Sequence, residues 1–118
     1  MKSVTVHFPN LETEIMYMIG KSQKENFSVI DQGQPEDIWF HAKEISSCHV
    51  IAILPECHDF DKKELQSIIK RGALLCKEHT SKLQGYSNVE IIYTKIKNVT
   101  KTKTPGCVTT QNTKTIII

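Results

Sequence analysis

No run of about 18 apolar residues occurs in the 118-residue sequence, which excludes a membrane-spanning helix. The first residues lack the apolar core of a secretory signal, so the expected compartment is the cytoplasm. Four cysteines (Cys48, Cys57, Cys76 and Cys107) form no C-x-x-C pair. Without a secretory signal, reduced thiols are expected rather than a disulfide framework. There is no internal repeat, no linker of Pro, Gly and Ser, and no glycine-rich phosphate loop. A chain of 118 residues suffices for one hydrophobic core and not for two, so one domain over 1–118 is expected. Acids are missing from the C-terminal end: from Ile91 onward there is none, against Lys95, Lys97, Lys101, Lys103 and Lys114. The overall charge of +2 therefore hides a balance of −6 over residues 1–61 and +8 over residues 62–118. So basic a half is a plausible footprint for a polyanion; the plainer alternative is a solvated lysine surface.

The stretch Pro35-Glu36-Asp37-Ile38-Trp39-Phe40-His41-Ala42-Lys43 holds the sole tryptophan beside an acid, a phenyl ring, an imidazole and an amine. In an extended backbone, Asp37, Trp39, His41 and Lys43 share one face and Ile38, Phe40 and Ala42 the other. The second set reads as core. The first reads either as a recognition surface, with Trp39 as a stacking plane, or as scaffold, with Trp39 in a core and Asp37 capping a turn.

Around this stretch, residues 4–8 and 14–19 suit a hairpin, ended by Gly20. Ser22-Gln23-Lys24-Glu25 has capping-box spacing for a short helix through about Asp31. Strands follow at 37–43 and 48–54, the second nearly all apolar and so central, stopped by Pro55. Asp59 or Asp61 caps the longest helix, over 61–83, with Leu65, Ile68, Ile69, Gly72, Cys76 and His79 or Leu83 on one face. Lys63, Lys70 and Lys77 recur on another face, with Arg71 beside them. Gly72 costs about 1 kcal/mol against alanine, which implies close approach of that helix to the sheet. Strands at 89–94, 98–101, 106–110 and 114–118 complete the order ββαββαββββ. The expected fold class is α+β, a mostly antiparallel sheet with one long and one short helix.

Several constellations bear on chemistry. Cys48-His49 and Cys57-His58 invite a zinc reading, but strand neighbours point to opposite faces, so each pair offers at most one ligand. No metal site and no cofactor are expected. Gly20-Lys21 is a strand-to-helix junction whose free N–H groups could meet a phosphate. His41 and His49 share a face only if the paired residue numbers of their hairpin sum to an even value. Pairing 43 with 49 puts His41 opposite Ile51 and makes one patch; pairing 43 with 48 turns His49 away.

Asp37-Ile38-Trp39-Phe40-His41 resembles the D-x-W-F-H signature of the NFACT-R domain, the RNA-binding module of NFACT proteins such as RqcH. Gly20-Lys21 with Glu25-Asn26 is similar to the family's glycine-to-asparagine opening, and Ser46-Ser47-Cys48-His49-Val50 to its second histidine segment. Val89 to Thr94, Val99-Thr100-Lys101 and Pro105-Gly106-Cys107-Val108 follow its C-terminal half, so the likeness covers about residues 15–118. The family keeps both histidines and thereby favours the shared patch. The resemblance implies a nucleic-acid-binding module rather than an enzyme, with RNA as partner (tRNA or ribosomal RNA), ribosome-associated quality control as setting, and DNA or a protein as alternative partner. Asp37, Trp39, Phe40, His41, Lys43, His49, Lys21 and Asn26 are then the expected recognition residues, with Lys101, Lys103, Lys70 and Arg71 tracking the backbone. Ser46-Ser47 replaces the family's usual Pro-Gly, which brings the sequence nearer to the eukaryotic members that carry a coiled-coil tail. Nothing in these 118 residues matches that tail or the other NFACT domains, so tail elongation is not expected of them. An enzyme using Asp37, His41 and His49 on phosphodiesters is the remaining hypothesis.

Overall fold

The computed structural model describes residues 2–56, 59–104 and 107–118. Strands β1 (Lys2–Phe8) and β2 (Thr13–Gly20) form the first hairpin, and helix α1 (Gln23–Gln32) follows. Then come β3 (Ile38–Ala42), β4 (His49–Ile53), helix α2 (Lys62–Glu78), β5 (Glu90–Lys95), β6 (Val99–Lys101), β7 (Val108–Thr110) and β8 (Lys114–Ile117). The order and the α+β class are those expected. Six strands make one antiparallel sheet in the order β1-β2-β4-β3-β5-β8, and β6 with β7 makes a separate ribbon.

Local chemistry explains the helix ends. Ser22 accepts the amide of Glu25 at 3.1 Å, and the Glu25 carboxylate returns to the amide of Lys21 at 3.0 Å. Asp61 and Glu64 form a full reciprocal capping box at α2, with Glu64 bonding the N-cap amide itself. That helix stops earlier than the expected residue 83. The Thr80 hydroxyl donates to the Cys76 carbonyl at 2.8 Å and accepts the amide of Cys48 at 3.1 Å, tying the chain to β4. Leu83 reaches the core from a short 3-10 turn, Ser81–Leu83, instead of from the helix.

The sheet is covered on both faces. Ile15, Tyr17, Ile38, Phe40, Val50, Ala52 and Ile91 pack beneath α2 against Ile68, Ala73 and Cys76. On the opposite face Trp39 and Ile51 pack with Val29 and Ile30 of α1 and with Ile96, flanked by Val99 and Val108 of the ribbon. Two glycines mark the closest approaches. A Cβ on Gly72 would lie 2.3 Å from the Phe40 ring, and one on Gly20 would lie 2.8 Å from the backbone of Glu25. The close helix–sheet approach expected at Gly72 is therefore present, with Phe40 as its cause. Because Phe40 is wholly buried under α2, its expected contact with nucleic acid does not hold.

Candidate nucleic-acid interface

β3 alternates as its sequence pattern demands, with Asp37, Trp39 and His41 toward α1 and Ile38, Phe40 and Ala42 toward α2. The β3–β4 register pairs Ile38 with Ala52, Trp39 with Ile51 and Phe40 with Val50, an even sum. His41 and His49 thus share a face, as favoured, but the register differs by two residues from the pairing of 43 with 49. It sets His41 across from His49, with ring centroids 4.8 Å apart and edge to face.

The cluster these residues form is closed rather than open. Trp39 is 1% exposed and His49 2%. The Trp39 indole N–H donates to Nδ1 of His49 at 3.2 Å, which places the His49 proton on Nε2. The His49 amide donates to Oδ1 of Asn26 at 3.3 Å, anchoring β4 to α1. His41 stacks on the indole with an interplanar angle of 2°, and its Nδ1 bonds the Ala42 carbonyl at 2.7 Å. Burial, helped by the neighbouring His41, pulls the His49 pKa down to about 3, and burial also lowers that of His41. Both rings are therefore neutral near pH 7.

Several expected contacts are corrected here. Trp39 offers no face to a base, because α1 and the ribbon cover it. His49 and Asn26 are buried structural partners. Asp37 orients no histidine: its carboxylate accepts the amides of Gln34 at 2.7 Å and Leu54 at 2.9 Å, and it is 2% exposed. The Lys21 amide at the strand-to-helix junction already donates to Glu25, so it is not free for a phosphate. Cys48 points into the α2 core while His49 faces α1, as strand geometry requires. Cys57-His58 and the Pro105-Gly106 turn lie outside the described residues.

The exposed expected residues fall on separate surfaces. Lys43 pairs with Glu90 at 3.4 Å. Lys101 pairs with Asp31 of α1 and lies 5.1 Å over the Phe27 ring. Lys103 is exposed beyond β6, and Lys70 and the half-buried Arg71 sit on α2, across the sheet. The fold thus does not gather them with His41. It gathers a different set. Glu36 bridges Lys95 at 2.9 Å and Lys97 at 3.4 Å, and Lys114 of β8 stands across Tyr93 of β5. Ile91, Tyr93 and Lys95 recur at strand spacing along the acid-free stretch, and that alternation was the available signal for this second surface.

Residues 5–112 match the family described as the NFACT protein RNA binding domain. The chain belongs to that family. That family is described as an RNA-binding module. The chain is 35% identical over 97 residues to coiled-coil domain-containing protein 25 of Mus musculus, covering 79% of this chain and 44% of that protein. The Danio rerio protein of the same name is 36% identical over 89 residues, covering 74% and 41%. Rqc2 homolog RqcH of Bacillus subtilis is 28% identical over 120 residues, covering 95% and 20%. The chain spans less than half the length of these curated relatives. Among solved structures, the C-terminal part of the fibronectin/fibrinogen-binding protein from Streptococcus suis superposes with a TM-score of 0.72 over 88% of this chain and 40% of that one. At 22% identity this likeness concerns the fold alone.

Proposed function

We propose that this NFACT-R domain binds structured RNA, tRNA or ribosomal RNA, and acts at the ribosome in the quality control of translation. The observation that carries this reading is the family match across residues 5–112. Two features of the molecule agree with it. The C-terminal half carries a balance of +8. Of its bases, Lys95, Lys97, Lys101, Lys103 and Lys114 lie on or beside short strands, while Lys62, Lys63, Lys70, Arg71 and Lys77 lie on α2. The histidine signature, on this reading, holds α1 to the sheet and shapes the surface instead of touching RNA.

The test is the salt dependence of tRNA and ribosomal RNA binding, with duplex DNA of equal length as competitor. Displacement of counterions by lysines makes log K fall linearly with log salt, at close to one unit of slope per phosphate contacted. A flat dependence, or tighter binding to the DNA than to either RNA, would sink the proposal.

A further inference from the structure

Helix α2 crosses β4 and β3 and leaves the β5–β8 margin of its own face partly uncovered, so that Tyr93 and Ile116 are only half-buried. A cavity of about 550 Å3 opens there, within the roughly 300–1,000 Å3 span of small-ligand clefts. Its floor is apolar, from Ile38, Leu54, Leu65 and Ile69, with Phe60 and Tyr93 adding aromatic rings. Its rim carries Lys95, Lys97 and Lys114 against the acids Glu36 and Asp59. Glu36 holds two of these lysines, while the Lys114 ammonium has no partner among the described residues.

Two carboxamides complete the rim. Asn98 donates through Nδ2 to the Thr94 hydroxyl at 3.0 Å, which locks its side chain and leaves Oδ1 as an acceptor. The Thr94 hydroxyl in turn donates to the Gln111 carbonyl at 3.0 Å, pinning the turn that carries Asn112. Asn112 sits in the left-handed region at φ 53°, and its carboxamide has no partner among the described residues. A cleft with an apolar, partly aromatic floor, amide donors and acceptors at its edge, and net positive charge outside them has the layout of a nucleotide.

We propose that this cleft receives one unstacked nucleotide of single-stranded or looped RNA. The base lies on the floor with Tyr93, its edge meets Asn98 and Asn112, and its flanking phosphate meets Lys114 with Lys95. Asp59 at the rim offers an acceptor where a ribose 2′-hydroxyl, absent from DNA, stands. The assignment rests on the RNA-binding reading above and specifies where that binding occurs.

The experiment titrates the full chain with a single-stranded RNA heptamer, a blunt RNA duplex and the DNA heptamer of the same sequence, following backbone amide shifts and affinity. The expected result is shifts confined to the cleft residues, around 36–38, 54, 59–60, 65–69, 93–98 and 112–114, with preference for the RNA heptamer over both comparators. Lys114→Glu and Asn112→Gly, which keeps the left-handed backbone, each weaken heptamer binding about fivefold or more. Lys24→Glu on α1 makes the same charge change and leaves binding within about twofold. Melting temperatures of all three match the wild type, since these side chains are exposed. Wild-type affinity in both cleft variants while RNA still binds overturns the cleft and leaves the RNA-binding reading intact. The same holds if an acidic peptide, and not RNA, shifts the cleft residues while RNA shifts others. No binding of any RNA by the wild type overturns both.

Discussion

Trp39 on β3 donates its indole N–H to Nδ1 of His49 on β4 at 3.2 Å, and both rings are almost wholly buried. A buried N–H without a partner is costly, so each ring makes the other tolerable inside the sheet. This pairing accounts for the presence of tryptophan and a second histidine on neighbouring strands. The rest of the cluster holds both partners: the His49 amide bonds Asn26, and the indole is stacked against His41.

The first prediction follows directly. Trp39→Ala removes the centre of the cluster formed by Val29, Ile30, Ile51 and Ile96, and costs about 3–5 kcal/mol. At roughly 3–6 °C per kcal/mol for a domain of this size, the melting temperature falls by ten degrees or more. Trp39→Phe keeps much of the volume but strands Nδ1 of His49, at a cost of about 1–3 kcal/mol. Thermal melts of both variants give the test. RNA affinity per folded molecule should not change, and a Trp39→Ala protein that melts like the wild type but has lost RNA binding would restore the stacking role.

Acid should destabilise this fold. His49 ordinarily titrates near 6.5 and is held down to about 3 by burial and by His41. Between these values the unfolded chain binds a proton that the folded chain does not, so stability is complete above about pH 6.5 and is lost as pH falls toward 3. The slope is about 1.4 kcal/mol per pH unit for one fully titrating histidine, and the lowered pKa of His41 acts in the same direction. Urea denaturation at a series of pH values measures it. His49→Asn keeps an acceptor for the indole without the titration, and its stability should depend less steeply on pH by about one proton. An unchanged slope would mean that His49 is protonated in the folded protein.

Much of this arrangement could be read from the chain. The alternation in β3 has a period of 2, so the partition of Asp37, Trp39 and His41 from Ile38, Phe40 and Ala42 was legible. The N-cap at Ser22 and the capping box at Asp61 likewise carry their own signal. What covers each face was not, because Trp39 is closed over not only by nearby α1 but also by Ile96, Val99 and Val108, far along the chain. One clue was present. The near-continuous apolar run of β4 requires both of its faces to be buried, and an even register then places Trp39 beside Ile51 on a covered face. The end of α2 was hidden for a similar reason, since Thr80 ends the helix by bonding to Cys48, just before β4. The rim of the cleft draws Glu36, Lys95, Asn112 and Lys114 from three separated segments, and no local pattern announces such a meeting.

Gly72 yields a prediction against intuition. Alanine is the better helix former by about 1 kcal/mol, yet a Cβ there would lie 2.3 and 2.4 Å from two atoms of the Phe40 ring. The overlap should outweigh the propensity, making Gly72→Ala destabilising by about 1–3 kcal/mol. Phe40→Leu alone leaves a void, but in the Gly72→Ala background it should cost less than in the wild type, giving a favourable coupling in a double-mutant cycle. Strictly additive effects would show that helix and ring do not constrain one another.

Glu36 is the sharpest probe of where RNA binds. It faces solvent and spans Lys95 and Lys97, so both lysines are neutralised in the free protein without being buried. Those ammonium groups hold its carboxyl below the usual carboxylate range. Exposed ion pairs contribute little to stability, and Glu36→Gln should leave the melting temperature near that of the wild type. For RNA the consequence is opposite in kind. A phosphate approaching the cleft has to compete with Glu36 for the two lysines, and the glutamine removes that competition and its repulsion together. RNA affinity at low salt should therefore rise several-fold, and the slope of log K against log salt should steepen by about one unit for each lysine released. Lys95→Gln or Lys97→Gln added to Glu36→Gln should cancel part of the gain. Were RNA bound by Lys70 and Arg71 on α2 instead, Glu36→Gln would raise affinity only weakly and the added lysine changes would not interact with it. Binding isotherms at several salt concentrations for the single and double variants separate the two cases.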